Sequence, residues 1–140
     1  MNKQVIIIRH DLHMRRGKQI AQACHASMKI FFDRMSFLAD QCDIDKNPGQ
    51  NFDTHFTSAM MEWLTWSEGK PGFTKIVVSC EGEEELKKIE ALANEAGIPN
   101  AIILDNGLTE FHNVPTYTCI ALGPDDAEKI DKITGGYPLL

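Results

Sequence analysis

QVIIIRHDLHMRRGKQIAQACHA, residues 4–26, passes through three kinds of chain in quick succession. QVIIIR (4–9) is a short β-branched run, apolar at consecutive positions, the pattern of a strand covered on both faces. A polar loop follows, and Gly17 begins a helix that the spacing carries to about Arg34. The alternation continues outward. TKIVVSC (74–80) reads as a second strand, and EEELKKIEALANEAG as a helix with Leu86, Ile89, Leu92, Ala93 and Ala96 at helical spacing and Gly97 at the C′ position. NAIILD (100–105) is a third strand. The turn-rich NGLTEFHNVP leads to TYTCIALG (116–123), a fourth, and DDAEKIDKITG gives a short final helix. Residues 40–55 are polar and loop-like, while 56–67 read as a helix carrying Trp63 and Trp66.

This order predicts an α/β fold: a three-layer sandwich on a four-stranded mixed sheet, three strands parallel and one antiparallel, with helices on both faces. Ligands of open α/β sheets bind outside the carboxyl ends of the parallel strands. The loop 10–17, Asp105 at the end of the third strand, and Thr116 and Thr118 near the start of the fourth are therefore expected to share one edge.

A chain of 140 residues has the size of one domain, so a single domain over 1–140 is expected, with a longer connection at about 36–72. The balance of 43% hydrophobic and 24% charged residues argues against disorder. MNKQVIIIRH holds too few consecutive apolar residues for a signal-peptide core or a membrane span, and the expected location is the cytoplasm. Cys24, Cys42, Cys80 and Cys119 form no C-x-x-C pair and read as reduced, mostly buried thiols. His10 and His13 have no partners that complete a metal site.

The net charge of −6 conceals an asymmetry: residues 1–35 carry seven basic side chains against two acidic, and the remainder seven against eighteen. A locally positive surface can attract a polyanion whatever the total, because the field is screened over about 10 Å at 0.1 M salt. By itself this pattern also fits a solvated face.

An advance of about 100° per residue puts Lys18, Gln22, His25 and Lys29 on one polar stripe of the first helix. Ile20, Ala21, Cys24, Met28, Phe31 and Phe32 fall on another, the expected sheet-facing side. Lys18 and Gln22 lie in the first turns, where free N–H groups and the helix dipole favour an anion. A Cys24–His25 nucleophile is disfavoured, because adjacent helical residues point about 100° apart.

Four blocks of the sequence, in order, resemble one family. They are RHDLHMRRGKQIAQACHA, KPGFTKIVV, IILDNGLTE and IALGPDDAEKIDKITGGYPLL. The chain is similar over nearly its whole length to the archaeal and eukaryotic type of peptidyl-tRNA hydrolase, the second of two unrelated families with that activity. The resemblance implies hydrolysis of the ester joining a peptide to the 3′ ribose of tRNA, without metal or cofactor. It puts catalytic roles on Lys18, Asp105 and Thr109, with Gln22, His25 and Thr118 nearby; Thr116 joins the substrate side by topology, and Arg9, Arg15 and Arg16 are either surface charges or contacts to the phosphates of peptidyl-tRNA, which would make binding salt-dependent.

The chemistry accepts these residue types. Ester hydrolysis needs a positioned water and stabilisation of the oxyanion that forms as it attacks. Asp105, hydrogen-bonded by Thr109, can orient or deprotonate water, and Lys18 can stabilise the oxyanion or hold the terminal phosphate. D-N-G is equally the pattern of a tight turn. Where the family has Arg and Gln, this chain has Leu108 and Glu110, which removes one cation and adds an anion beside the expected site. The second reading is a non-catalytic relative that holds an RNA end or a protein partner. A homodimer is also an expectation, from the aromatic residues of the inserted segment.

Overall fold

The computed structural model describes residues 1–37 and 52–140, and residues 40–51 of the expected polar loop, with Cys42, lie outside them. The elements are β1 (Asn2–Arg9), α1 (Arg16–Phe32), β2 (Met35–Phe37), β3 (Phe52–Thr54), α2 (Ser58–Leu64), β4 (Thr74–Cys80), α3 (Glu83–Glu95), β5 (Asn100–Asp105), β6 (Thr116–Asp126) and α4 (Ala127–Thr134). The main sheet has the order β4-β1-β6-β5. β1 pairs in parallel with β4, and β6 runs antiparallel between β1 and β5. β1, β4 and β5 therefore point one way and β6 the other. The small antiparallel ladder of β2 and β3 is an addition that sequence periodicity did not disclose.

β1 explains the two-sided sheet. Val5 and Ile7 join a cluster with Leu86, Ile89 and Ala93 of α3 and Ile130 of α4. Ile6 and Ile8, pointing the other way, join Ala26 and Ile30 of α1 and Met60 of α2. An uninterrupted apolar run is what two covered faces require.

Helix ends follow local chemistry. Glu83, Glu84 and Glu85 set negative charge in the first turn of α3, where the dipole favours it. Its far end closes through Gly97, at φ +69°, with the Ile98 N–H donating to Ala93 O at 2.9 Å. The Thr57 and Asp126 side chains cap α2 and α4 by accepting from Met60 N and Lys129 N. α2 packs inward through Trp63, which is buried and lies 4.8 Å from the Phe73 ring, so that tryptophan is not exposed on the inserted segment.

The rotation of α1 corrects the angular reading. Gln22, Ala26 and Ile30 face the sheet, whereas Ile20, Ala21, Cys24, Met28 and Phe32 are exposed and Phe31 is half-buried. The helix carries two apolar arcs, and the one nearer Gln22 won because its amide finds partners inside. Cys80 and Cys119 are buried thiols as expected, but Cys24 is not.

At the opposite edge of the sheet, the C-terminal residues lie along β4. The Ser79 N–H donates to Pro138 O at 2.9 Å, the Leu140 N–H to Val77 O at 3.2 Å, and Val78 bridges Leu139 in antiparallel fashion. Among the described residues, no helix is long and apolar enough to cross a membrane.

Candidate active site

The carboxyl ends of β1 and β5, the start of β6 and the first turns of α1 converge on one edge. Asp105 is the last residue of β5 and pairs in the ladder with Thr116. Its two oxygens divide the labour. Oδ2 accepts the Gly107 N–H at 2.9 Å, forming the D-N-G turn. Oδ1 accepts from Lys18 Nζ at 2.9 Å and Gln22 Nε2 at 3.1 Å. One oxygen thus builds the turn, and the other meets Lys18 and Gln22.

Gly107 makes the turn possible. Its φ is +81°, and a Cβ there would stand 2.2 Å from Val114 O. The loop then closes on itself, with the Phe111 and Asn113 N–H groups returning to Gly107 O. This brings the Thr109 hydroxyl to 2.8 Å from Lys18 Nζ and the Phe111 ring within 5.6 Å of the same ammonium.

Lys18 and Asp105 side chains are only 14% and 12% exposed, which shields their ion pair from full solvent screening. Burial pushes the Asp105 carboxyl up, but the Lys18 ammonium, the Gly107 N–H and the Gln22 amide together outweigh it and hold it below the usual carboxylate range. Asp105 is thus an anion at neutral pH.

Behind this pair, Gln22 is buried with both ends of its amide engaged. Nε2 donates to Asp105, and Oε1 accepts the Thr118 hydroxyl at 2.5 Å. The Cys119 thiol donates to Gln22 O at 3.3 Å, and burial pushes that thiol up to about 12. It serves as a neutral donor rather than a nucleophile. Periodicity marked neither this support nor the part of Cys119 in it.

The remaining residues expected here fall into separate positions. His25 is exposed and borders a hollow with Met28, Lys29, Phe32 and Ile103. The Thr116 hydroxyl donates to Val114 O at 2.8 Å within the loop. Arg15 and Arg16 are exposed at the start of α1, but Arg9 turns back into the protein. Its guanidinium meets Asp11 at 2.7 and 3.1 Å and donates to Tyr117 O at 3.0 Å. Met14 is buried beneath the loop. Glu110 faces Arg15, with Oε2 accepting the Arg15 N–H at 3.3 Å.

A half-buried carboxylate held between a lysine and an amide, on a strand end beside a basic loop, suits hydrolysis of an ester on a polyanion. The family model described as peptidyl-tRNA hydrolase PTH2 matches residues 2–140. The chain belongs to that family. Among curated PTH2 relatives, the peptidyl-tRNA hydrolase of Methanothermobacter thermautotrophicus is 39% identical over 138 residues, covering 99% of each chain. Those of Methanocaldococcus jannaschii and Methanopyrus kandleri are 38% identical over 138 residues and 36% over 140. Each alignment covers at least 99% of both chains. A solved structure of a protein of unknown function from Agrobacterium shares the fold at a TM-score of 0.54 and 15% identity, covering 99% of this chain and 97% of that one.

Proposed function

We propose that this chain hydrolyses peptidyl-tRNA, cleaving the ester between the peptide carbonyl and the 3′ oxygen of the terminal ribose, with Lys18, Asp105 and Thr109 as its catalytic residues. The observation that carries the reading is the Lys18–Asp105 pair, tied to Thr109 and Gln22 within a chain of this family. An ammonium has three donors, and two are given to Asp105 Oδ1 and Thr109 Oγ1. The third faces the oxyanion that forms on the ester carbonyl. That interaction strengthens only as charge develops, which is what accelerates a reaction.

Asp105 Oδ2 retains a lone pair beyond its bond to Gly107 and orients the attacking water. A carboxylate held this low is a weak base at rest. As Lys18 turns toward the oxyanion, its hold on Asp105 slackens and the carboxyl becomes a better proton acceptor. The water adds to the carbonyl, its proton passes by way of Asp105 to the 3′ oxygen, and the ester C–O bond breaks. The products are a tRNA with a free 3′ hydroxyl and a peptide carboxylic acid, which gives up the second proton of the water to solvent and leaves as the carboxylate. Such acid–base help contributes on the order of 10² to 10⁴ in rate, and positioning adds to it.

Arg15 and Arg16 supply phosphate contacts, a reading supported by the exposure of both side chains at the start of α1. Gln22 and Thr118 hold Asp105 from beneath, while Thr116 and His25 border the path of the substrate. The substrate class assigns the protein to the cytoplasm with the translation machinery, and the full-length family match supports its working as one domain. Exposed Ile20, Met28 and Phe32 along α1 support pairing with a second copy, which light scattering reads directly.

Incubation with N-acetylated aminoacyl-tRNA is expected to release free tRNA, and Asp105→Asn to stop it. Salt-sensitive tRNA binding without turnover by the clean protein would replace the enzyme reading with that of a binding protein.

A further inference from the structure

α1 begins after Arg15, whose side chain makes no capping bond, and its first turn contains no acidic residue. The negative charge such an end favours is supplied from elsewhere. Glu110, on the loop between β5 and β6, turns its Oε2 to the Arg15 N–H at 3.3 Å and its Oε1 to Arg15 Nε at 3.9 Å. Its side chain is only 19% exposed, whereas that of Arg15 is 91% exposed. The loop delivers the carboxylate there by construction, since it is wound about Gly107 O and pinned by Thr109 to Lys18. A carboxylate that accepts a helix-terminal N–H beside a guanidinium satisfies the same groups a phosphate oxygen would satisfy.

We propose that Glu110 is a specificity-determining residue for the RNA substrate, occupying the anion position at Arg15 until a substrate phosphate displaces it. The inference rests on the reading of Arg15 as a phosphate contact. A ligand that brings only one phosphate gains little by exchanging one anion for another. A tRNA end, held elsewhere by further contacts, recovers the cost of the exchange. The carboxylate at this position then sets tRNA affinity below what the basic loop alone would give, and penalises small or partial RNA ligands most.

The test uses the full chain and deacylated tRNA labelled for fluorescence anisotropy. Glu110→Gln keeps the shape and an acceptor for the Arg15 N–H but removes the charge. A charge at a helix end is worth about two- to fivefold in affinity, so E110Q is expected to lower the Kd for tRNA by that factor at low salt. KM for hydrolysis should fall in parallel, with kcat carrying the smaller part. A short single-stranded RNA oligonucleotide should gain at least as much as tRNA. In an Arg15→Gln background the effect of E110Q should shrink, because the contested guanidinium is gone and only the helix-end N–H remains. Unchanged or weaker tRNA binding by E110Q overturns the inference, as does an equal gain in the R15Q background. Glu110→Ala, which removes the acceptor too, carries the same test should E110Q fold poorly. Failure of the wild-type protein to hydrolyse peptidyl-tRNA would sink the proposed activity instead, and would leave these binding measurements standing.

Discussion

Lys18 Nζ and Asp105 Oδ1, 87 residues apart in sequence, meet at 2.9 Å where the first turn of α1 faces the end of β5. The contact joins the only two charged groups of the proposed catalytic set. Lys18→Met is expected to lower kcat by about 10² to 10³, the usual effect of removing one donor to an oxyanion. Single-turnover hydrolysis at saturating enzyme separates this from lost tRNA binding. A variant with wild-type kcat would remove Lys18 from the chemistry.

The same pair predicts the response to acid. Because the folded-state Asp105 carboxyl lies below its unfolded value, its contribution to stability is complete above about pH 4 and is lost as pH falls through the lower, folded value. Wild-type Tm should accordingly fall more steeply than that of Asp105→Asn between about pH 5 and pH 2. Parallel curves for the two proteins would show that Lys18 and Gly107 do not hold the carboxyl down.

Gln22 and Thr118 form a buried polar pair that should be costly to halve and cheap to remove whole. Gln22→Leu leaves the Thr118 hydroxyl without its 2.5 Å acceptor and is expected to cost about 1 to 3 kcal/mol in chemical denaturation. Adding Thr118→Val should recover part of that loss, since no donor is then stranded. Turnover should stay low in both, because Asp105 has lost the Gln22 amide. Strict additivity of the two substitutions would contradict a coupled pair.

The arginines of the basic loop should separate by experiment. Arg15→Ala and Arg16→Ala are each expected to reduce the slope of log Kd for tRNA against log salt by about one. Arg9→Ala should leave that slope unchanged and lower Tm, because Arg9 is held by Asp11 and Tyr117 O. A reduced slope for Arg9→Ala would return that residue to the phosphate contacts.

Gly107→Ala tests whether the loop's shape matters. A methyl group at φ +81° and 2.2 Å from Val114 O is expected to cost about 2 kcal/mol or more and to displace Thr109 from Lys18. Activity should fall with stability. A stable, fully active G107A protein would mean that the loop can be rebuilt without loss.

Much of this arrangement was legible in the chain because it rests on local pattern. The apolar run of β1 announced burial on both faces, and Asp105 at the end of NAIILD fell on the edge where the topology collects ligands. The rotation of α1 was not legible. Counting polarity put Gln22 on a polar stripe apart from the sheet-facing side, but burial of an amide costs little when Asp105 and Thr118 satisfy both its ends. Those partners lie 83 and 96 residues away, beyond the reach of any periodicity. Arg9 was misleading for a related reason: its carboxylate, Asp11, is two residues on, yet only the return of β6 with Tyr117 O fixes the guanidinium inward. β2 and β3, three residues each, are too short for alternation to signal a ladder.

The residues that lie along β4 have one more consequence. β4 is one of the two border strands of the main sheet, and an uncovered border strand offers its free backbone groups to any extended chain that passes. Pro138 O and the Leu140 N–H occupy such groups on Ser79 and Val77. Deleting the last three residues would thus open a template for strand addition, besides uncovering the hollow that Leu140 shares with Arg16 and Gln19, and the shortened protein should self-associate into β-rich aggregates on mild heating.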